Sequence, residues 1–104
     1  MTLKDWISAT LQERLSRLGG TKVYLTFDLD FIDASSAPGI GSPEPFGPNS
    51  YEAVEALRAV RGIAGDIVAM DLVELSPIHD VSHLTAYLAA QILFEMVCLL
   101  PARR

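Results

Sequence analysis

The sequence predicts an α/β fold in which two parallel strands alternate with three helices. Apolar residues recur at helical spacing in three segments, and two short runs rich in β-branched and aromatic residues lie between them. The order helix, strand, helix, strand, helix contains a βαβ unit, whose strands are parallel. Parallel strands need cover on both faces, and two strands make only a narrow sheet. We therefore expect this chain to be part of a larger three-layer αβα sheet.

The first helix is predicted by apolar residues at helical spacing, which are Leu3, Trp6, Ile7, Leu11, Leu15 and Leu18. Thr2 and Asp5 are placed like an N-terminal cap, and the glycine pair at 19–20 ends the helix. The first strand covers residues 22–27, between glycines and acids. Asp28 is therefore expected at the carboxyl end of that strand.

The second helix is predicted to begin at a cap formed by Asn49 or Ser50 and to end near residues 62–65. Its apolar positions are Tyr51, Val54, Leu57 and Val60. Residues 67–73 form the second buried strand. The last helix, at roughly 82–100, is apolar almost all round, with Glu95 as its only acid. We expect such a helix to be buried on more than one side.

Composition suits one compact domain over residues 1–104, since half of the residues are apolar. Charged residues make up only 20%, so part of the surface is expected to face another chain, and oligomerisation is the first expectation. The net charge of −5 argues against a nucleic-acid partner and mildly favours a cationic ligand. The single cysteine, Cys98, excludes a disulfide framework, and we expect it to be a small core residue.

No segment predicts a secretory signal or a membrane span. The N-terminus becomes charged and amphipathic at once, and the longest apolar run, at 84–100, is interrupted by Thr85, Gln91 and Glu95. We therefore expect a cytoplasmic protein without a membrane partner.

A proline- and glycine-rich stretch at residues 33–50 is too long for an ordinary connection and predicts a functional loop. Asp33, at its start, is expected to be a turn-forming or supporting acid, because its side chain can hydrogen-bond nearby backbone. Glu44 is expected to be a solvated loop acid without a part in catalysis.

Acidic residues follow both predicted strands. Asp28 and Asp30 have the i, i+2 spacing that places two side chains on one face of extended backbone, where they could share a cation. Glu74 emerges at the same end of the adjacent strand. Paired aspartates suit Mg²⁺ or Mn²⁺, although solvated, turn-forming acids are the alternative because the spacing alone is weak evidence.

The only histidines, His79 and His83, have the i, i+4 spacing that chelates a metal on a helix. The last helix is predicted to begin between them. We therefore interpret both as ordinary polar residues of a loop and a helix start.

Two motifs together resemble a known family. The segment TFDLDFID at 26–33, followed by SAPGIGSPEP at 36–45, closely resembles the signature of arginase/agmatinase-type ureohydrolases. DIV at 66–68 and DLVELSP at 71–77 are similar to the second-strand motif of that family. Asp80 and Thr85 also match family positions. The resemblance runs from about Val23 to the end of the chain.

This resemblance implies the C-terminal portion of an arginase-like fold. It implies that Asp28 and Asp30 are ligands of a two-manganese centre and that Glu74 binds the cationic end of the substrate. The implied reaction is hydrolysis of a guanidino compound to urea and an amine. Agmatine is the first expectation, because agmatinases favour this form of the proline-rich loop, whereas arginine and other guanidino acids remain alternatives.

The chain also departs from the family, since it lacks the G-G-D-H and D-A-H-x-D motifs that supply the remaining metal ligands. We expect it to supply only part of a site and to be inactive alone. A fragment, one subunit of a split enzyme, a decayed product and a non-catalytic interaction module all remain open. The expected partner is a missing N-terminal half or further copies of the chain.

A distant alternative is a haloacid-dehalogenase-like phosphatase, because FDLD at 27–30 resembles the first motif of that family. That family continues with Gly-Thr, whereas Phe31 and Ile32 follow here.

Overall fold

The computed structural model describes residues 3–61 and 66–100, and it has the predicted α/β class with two parallel strands and three helices. The helices are α1 (Leu3–Leu15), α2 (Ser50–Arg58) and α3 (Leu84–Val97), and the strands are β1 (Lys22–Asp28) and β2 (Asp66–Val73). Short 3-10 turns cover Ser16–Leu18, Leu29–Phe31 and Pro77–His79.

The two strands pair from Lys22 opposite Asp66 to Asp28 opposite Val73. An irregularity after Val23 shifts the register by one residue of β2. Because side chains alternate along a strand, every second residue faces the same side of the sheet. Because the two strands are parallel, they also end at the same edge of the sheet, which we call the carboxyl edge. Glu74 directly follows Val73 at this edge.

The hydrophobic core lies on one face of this sheet. Its buried members from the strands and helices are Phe27, Ala53, Leu57, Ala89, Ile92 and Met96. Four further members, Leu29, Ile32, Ala37 and Ile40, belong to the segment after β1. Burial of a large apolar side chain contributes about 1.5–3 kcal/mol, so the start of the proline-rich loop is anchored in the core.

The opposite face of the sheet is not covered by the described residues. We call this the open face; it carries Tyr24, Ala69, Thr26, Asp71, Asp28 and Val73. The described parts of α2 and α3 pack on the other face with Phe27, and Leu11 of α1 lies near Leu25 and Phe27 on that same side. The prediction of cover on both faces is thus met on one face only, because the order of elements does not fix the side on which each helix packs.

The last helix differs from its prediction in length and burial. α3 covers Leu84–Val97, and Thr85, Ala89, Ile92 and Met96 form its buried side. Tyr87 and Phe94 on the other side are 69% and 66% exposed. The expectation of burial on more than one side is therefore wrong for this chain by itself. Cys98, expected in the core, is exposed.

The start of α2 agrees with its prediction, whereas its end does not, because α2 ends at Arg58 and was predicted to end near residues 62–65. Asn49 caps α2 through a capping box with Glu52: the Asn49 side chain accepts the Glu52 N–H at 2.8 Å, and Glu52 accepts the Asn49 N–H at 3.1 Å. Thr2 and the glycines near 62–65 lie outside the described residues. Across residues 3–61 and 66–100, no helix has the length and apolarity needed to cross a membrane.

Candidate functional site

The carboxyl edge of the sheet brings together the segments that carry the three predicted site residues. Asp28 is the last residue of β1, and its partner in the register is Val73. Glu74 follows Val73, and Asp30 lies two residues beyond Asp28. The prediction that acids from both strands leave the sheet at one edge is therefore met. The side chains of Asp28 and Glu74 are exposed.

Asp30 reaches this edge differently from the prediction. The strand ends at Asp28, and Asp30 lies in the 3-10 turn Leu29–Phe31, so the expected extended backbone through both residues is wrong. The physical reason is local: Asp28 Oδ1 accepts the N–H of Asp30 at 2.8 Å. An aspartate that accepts the N–H two residues later favours a turn over a continued strand. Leu29, fully buried between the two aspartates, anchors the turn.

The carboxylate of Asp30 has an oxygen without a partner. Its Oδ1 is buried and has no hydrogen-bond donor among the described residues. A buried polar atom of this kind costs free energy unless an ion, a water molecule or another chain satisfies it. Carboxylate oxygens are ligands that hard divalent cations prefer. Asp30 therefore fits a cation site. Asp28, two residues earlier, is the nearest acid in sequence.

The described part of the chain does not complete such a site. No group of three or more histidine, cysteine, aspartate or glutamate side chains lies close enough to hold an ion within residues 3–61 and 66–100. This agrees with the absence of the two upstream motifs from the sequence.

Glu74 has an unusual backbone. Its φ of 77° lies in the left-handed region, which L-residues other than asparagine and aspartate seldom adopt. The chain therefore turns sharply as it leaves β2, and the exposed Glu74 side chain stands at that turn. Sequence patterns gave no signal for this conformation.

The loop after β1 is closed at its ends by Asp33. One carboxylate oxygen accepts the Ser35 N–H at 3.0 Å and the Ser35 hydroxyl at 2.5 Å, and the other accepts the Gly47 N–H at 3.0 Å. These hydrogen bonds, led by that from the Ser35 hydroxyl, hold the pKa of Asp33 below its ordinary value. The predicted supporting role of Asp33 thus has its contacts, while Glu44 is exposed as expected.

Asp80 and Thr85 organise the connection between β2 and α3. The Asp80 carboxylate accepts the N–H groups of Val81, Thr85 and Ala86 at 3.0, 2.9 and 2.9 Å. Burial acts to raise the pKa of Asp80, but these hydrogen bonds outweigh it and the pKa lies below its ordinary value. The hydroxyl of the fully buried Thr85 accepts the N–H of Gly39 at 2.7 Å. The proline-rich loop is thereby attached to α3.

A carboxylate on the open face was missed by sequence reasoning. The hydroxyl groups of Thr26 and Tyr24 both donate to Asp71 across the two strands. The pKa of Asp71 is lowered mainly by the hydrogen bond from Thr26 and next by that from Tyr24. The hydrogen bond to Asp71 in turn raises the pKa of Tyr24. The signal was the alternation of Tyr24 and Thr26 along β1, but only the register identifies Asp71 as their partner.

The two histidines do not share a helix, but α3 begins after both of them and not between them as predicted. His79 ends the Pro77–His79 turn, where its Nδ1 is 2.6 Å from the Ser76 hydroxyl oxygen. His83 precedes α3 with a left-handed backbone.

Several known proteins that are similar to this chain are named as enzymes of guanidino compounds. Over 85 residues it is 47% identical to the mitochondrial agmatinase of Gallus gallus and 45% identical to the mitochondrial guanidino acid hydrolase of Homo sapiens, in each case over 82% of this chain and 24% of the relative. It is 43% identical to the guanidinobutyrase of Pseudomonas aeruginosa over 88% of this chain and 28% of that one. The chain thus spans about a quarter of the length of these curated relatives.

Solved structures agree with this result. A hypothetical agmatinase from Burkholderia thailandensis superimposes with a TM-score of 0.79 at 38% identity, over 89% of this chain and 29% of that one. The arginase from Bacillus caldovelox does so with a TM-score of 0.67 at 31% identity, over 86% and 30%. The Arginase family model matches residues 3–98. The resemblance found in the motifs is therefore confirmed, and the chain belongs to the arginase family.

Proposed function

We propose that this chain contributes one part of a metal-dependent ureohydrolase, which hydrolyses a guanidino compound to urea and an amine. The observation that carries the proposal is that Asp28 and Glu74 leave neighbouring strands at one sheet edge, with Asp30 two residues after Asp28, in a member of the arginase family. The unpartnered Oδ1 of Asp30 supports it, because a bound cation would satisfy that oxygen.

Asp28 and Asp30 would be the metal ligands, and two Mn²⁺ ions are the proposed cofactor. Bound divalent ions would activate the attacking water and stabilise the negative charge that develops on its oxygen. This chain supplies carboxylate oxygens from a turn that is fixed by the Asp28 to Asp30 hydrogen bond and by buried Leu29. Fixed ligands matter because a loosely held carboxylate would not keep its coordination geometry.

Glu74 would bind the cationic end of the substrate. A guanidinium group carries its N–H donors in one plane, and a carboxylate accepts them in charge-assisted hydrogen bonds. Held in this way, the guanidinium carbon is presented to water, which adds to it as the bond to the substituted nitrogen breaks. That nitrogen takes up a proton and leaves as the amine, and urea is the second product. Glu74 orients the substrate in this scheme and takes no proton.

Agmatine is the proposed first substrate. The form of the proline-rich loop supports agmatine, and the agmatinase of Gallus gallus is among the similar proteins. Relatives whose names refer to guanidino acids and guanidinobutyrate make these acids the alternatives. The two classes differ at the end distant from the guanidinium, where agmatine carries an amine and the acids carry a carboxylate.

The rest of the site would come from another polypeptide segment. We propose that residues 1–104 form one domain that corresponds to the C-terminal portion of the arginase-like fold. A segment with the G-G-D-H and D-A-H-x-D motifs would supply the other ligands and cover the open face. Exposed apolar side chains near the carboxyl edge support such a contact, since Phe46 and Ile78 are 97% and 89% exposed. Association with further copies of this chain is the alternative to such a segment.

A cytoplasmic location remains a prediction, because two of the relatives are mitochondrial by name.

The test is reconstitution. The chain is co-expressed with the product of a neighbouring gene that carries the two missing motifs, and urea release is measured with Mn²⁺ and agmatine, 4-guanidinobutyrate or arginine. We expect activity only in the mixture. Asp28→Asn and Asp30→Asn should each lower activity and bound manganese by about a hundredfold or more, because they remove ligands.

Two further variants sharpen this experiment. Glu74→Gln should lower activity by about tenfold or more while bound manganese stays unchanged, because it removes only the charge that faces the substrate. Asp66→Asn is the matched control, since this exposed acid lies at the amino end of β2 and should leave activity unchanged. Absence of manganese binding and urea release from the mixture would favour a non-catalytic interaction module. Hydrolysis of a phosphate monoester that Asp28→Asn abolishes would instead favour the phosphatase alternative.

A further inference from the structure

The left-handed backbone of Glu74 needs support from its surroundings. A φ of 77° costs conformational energy for an L-residue with a Cβ, and it persists only where neighbouring contacts hold the chain on both sides. On the amino side this support is β2, which is paired with β1 up to Val73 opposite Asp28.

On the carboxyl side a backbone hydrogen bond and the packing of one side chain give this support. The N–H of Ser76, two residues after Glu74, donates to the carbonyl oxygen of Gly39 at 2.8 Å. Leu75, between them, packs against the hydrophobic core. Glu74 is therefore held between an attachment to β1 and an attachment to the proline-rich loop.

The position of Gly39 depends in turn on α3. Its N–H donates to the hydroxyl oxygen of Thr85 at 2.7 Å, and Thr85 is fully buried. A Cβ on Gly39 would lie only 2.6 Å from Asp80 Oδ1, so the loop approaches Asp80 more closely than any other residue type would permit. Gly39 thus has one attachment to Thr85 and another to Ser76.

Asp80 fixes Thr85. Its Oδ1 accepts the Thr85 N–H at 2.9 Å, and its Oδ2 accepts the Ala86 N–H at 2.9 Å, so the first turn of α3 is held against the connection that follows β2. The contacts then run without a gap from Asp80 to Thr85, to Gly39 and to Ser76, which we call the latch.

We propose that Asp80 and Thr85 are positioning residues, which act through Gly39 and Ser76 to hold Glu74 in its left-handed conformation. The latch also joins the loop after Asp28 and Asp30 to the connection after Glu74, so it sets the distance between the proposed metal ligands and the proposed substrate ligand. This inference deepens the proposed function, on which the role of Glu74 rests. The backbone effect can be measured without it.

The first experiment uses the 104-residue chain without metal. Thr85→Val keeps the shape of the side chain but removes the hydroxyl, so that the buried Gly39 N–H loses its acceptor. Thr85→Ser keeps the hydroxyl and is the matched control. In NMR spectra, a strong intraresidue HN–Hα NOE and the Cα and Cβ shifts of Glu74 report a positive φ. We expect these signatures in the parent chain and in Thr85→Ser, and we expect their loss in Thr85→Val.

The second experiment uses the reconstituted enzyme. Thr85→Val should lower kcat/KM by about tenfold to a hundredfold with bound manganese unchanged, and Thr85→Ser should restore it. If Thr85→Val does not fold, Asp80→Ala takes its place, because alanine removes the Oδ1 atom that accepts the Thr85 N–H. A positive φ at Glu74 in a folded Thr85→Val or Asp80→Ala chain would overturn the inference. A changed φ together with an inactive parent enzyme would uphold the latch and reject the proposed function.

Discussion

Asp33 organises the proline-rich loop through both of its carboxylate oxygens. They accept three hydrogen bonds from Ser35 and Gly47, and the N–H of Asp33 itself donates to the Pro48 carbonyl oxygen at 2.7 Å. Residue 47 is a glycine in this close contact, because the Cβ of any other residue would lie only 2.8 Å from the Asp33 backbone nitrogen. One acid therefore joins the start of a long loop to its end, as an acid with turn-forming capacity can.

Asp33→Asn tests this closure. An amide has one oxygen and one NH₂ group, so it cannot accept bonds on both sides, and the loop ends should separate more often. We expect the amides of Ser35 and Gly47 to exchange hydrogen roughly tenfold faster, as measured by hydrogen–deuterium exchange. Glu44→Gln is the control, because its exposed side chain is changed while its carbonyl oxygen still accepts the Ala34 N–H. Equal exchange in both variants would contradict the closure.

At this scale, sequence reasoning succeeded where the relevant contact is local. Asp33 and its turn were predicted because an aspartate bonds to backbone a few residues away. The roles of Thr85 and Asp71 were not predicted, because their partners lie 46 and 45 residues away in the chain. Periodicity and motif spacing do not indicate which residues so far apart in the chain are in contact.

Helices α2 and α3 are joined by a specific polar contact as well as by the core. Arg58 of α2 donates to both carboxylate oxygens of Glu95 of α3, with N–O distances of 3.0 and 2.6 Å, and also lies 3.3 Å from Glu55. The bonds from Arg58 hold the pKa of Glu95 below its ordinary value. Glu95, the only acid of an otherwise apolar helix, thus has a defined partner on α2.

The start of α2 gives a prediction at the scale of the element. Asn49→Ala removes the acceptor for the Glu52 N–H and should lower the free energy of unfolding by about 0.5–2 kcal/mol. Asn49→Asp keeps an acceptor oxygen and should stay near the parent chain. Urea denaturation followed by circular dichroism measures both. An unchanged midpoint for Asn49→Ala would mean that the cap does not stabilise the helix.

The bounds of the strands were predicted closely, whereas their continuation was not. The strands were predicted at residues 22–27 and 67–73, and the structure has them at Lys22–Asp28 and Asp66–Val73. The agreement is close because β-branched and aromatic residues favour strands. The turn at Asp30 escaped prediction, since i, i+2 spacing suits both a strand and an aspartate-initiated turn. The burial of α3 was overestimated, because composition shows that a helix is apolar but not what covers it.

For the whole molecule, the carboxylates with lowered pKa values set the response to acid. Asp33, Asp71, Asp80 and Glu95 all have pKa values below their ordinary values of 3.8 for aspartate and 4.5 for glutamate. A group whose folded-state pKa is lowered stabilises the fold above its unfolded pKa, and this stabilisation is lost as pH falls through the folded-state pKa.

The chain should therefore lose stability below about pH 4.5 and lose it progressively toward pH 2. Urea midpoints measured between pH 7 and pH 2 provide the check. Glu95→Gln should show a shallower decline, because one of the four contributing groups no longer titrates. Stability that rises between pH 5 and pH 3 would show instead that relief of the net charge of −5 dominates.

The two-stranded parallel sheet was predicted from the sequence, but its cover on one face only was not. Two strands in a βαβ order indicate a narrow parallel sheet whatever the packing. The side on which α1 lies depends on contacts such as that of Leu11 near Leu25 and Phe27, which no pattern specifies. Which face of the sheet stays open therefore depends on how the helices pack in the folded chain.

The left-handed backbone at Glu74 also bears on how this sequence would change over generations. Glycine or asparagine adopts that conformation at lower cost, so a chain relieved of its chemistry would gain stability from either exchange. We therefore predict that chains that use this carboxylate keep glutamate at the position of residue 74, whereas chains that have lost the chemistry exchange it for glycine or asparagine.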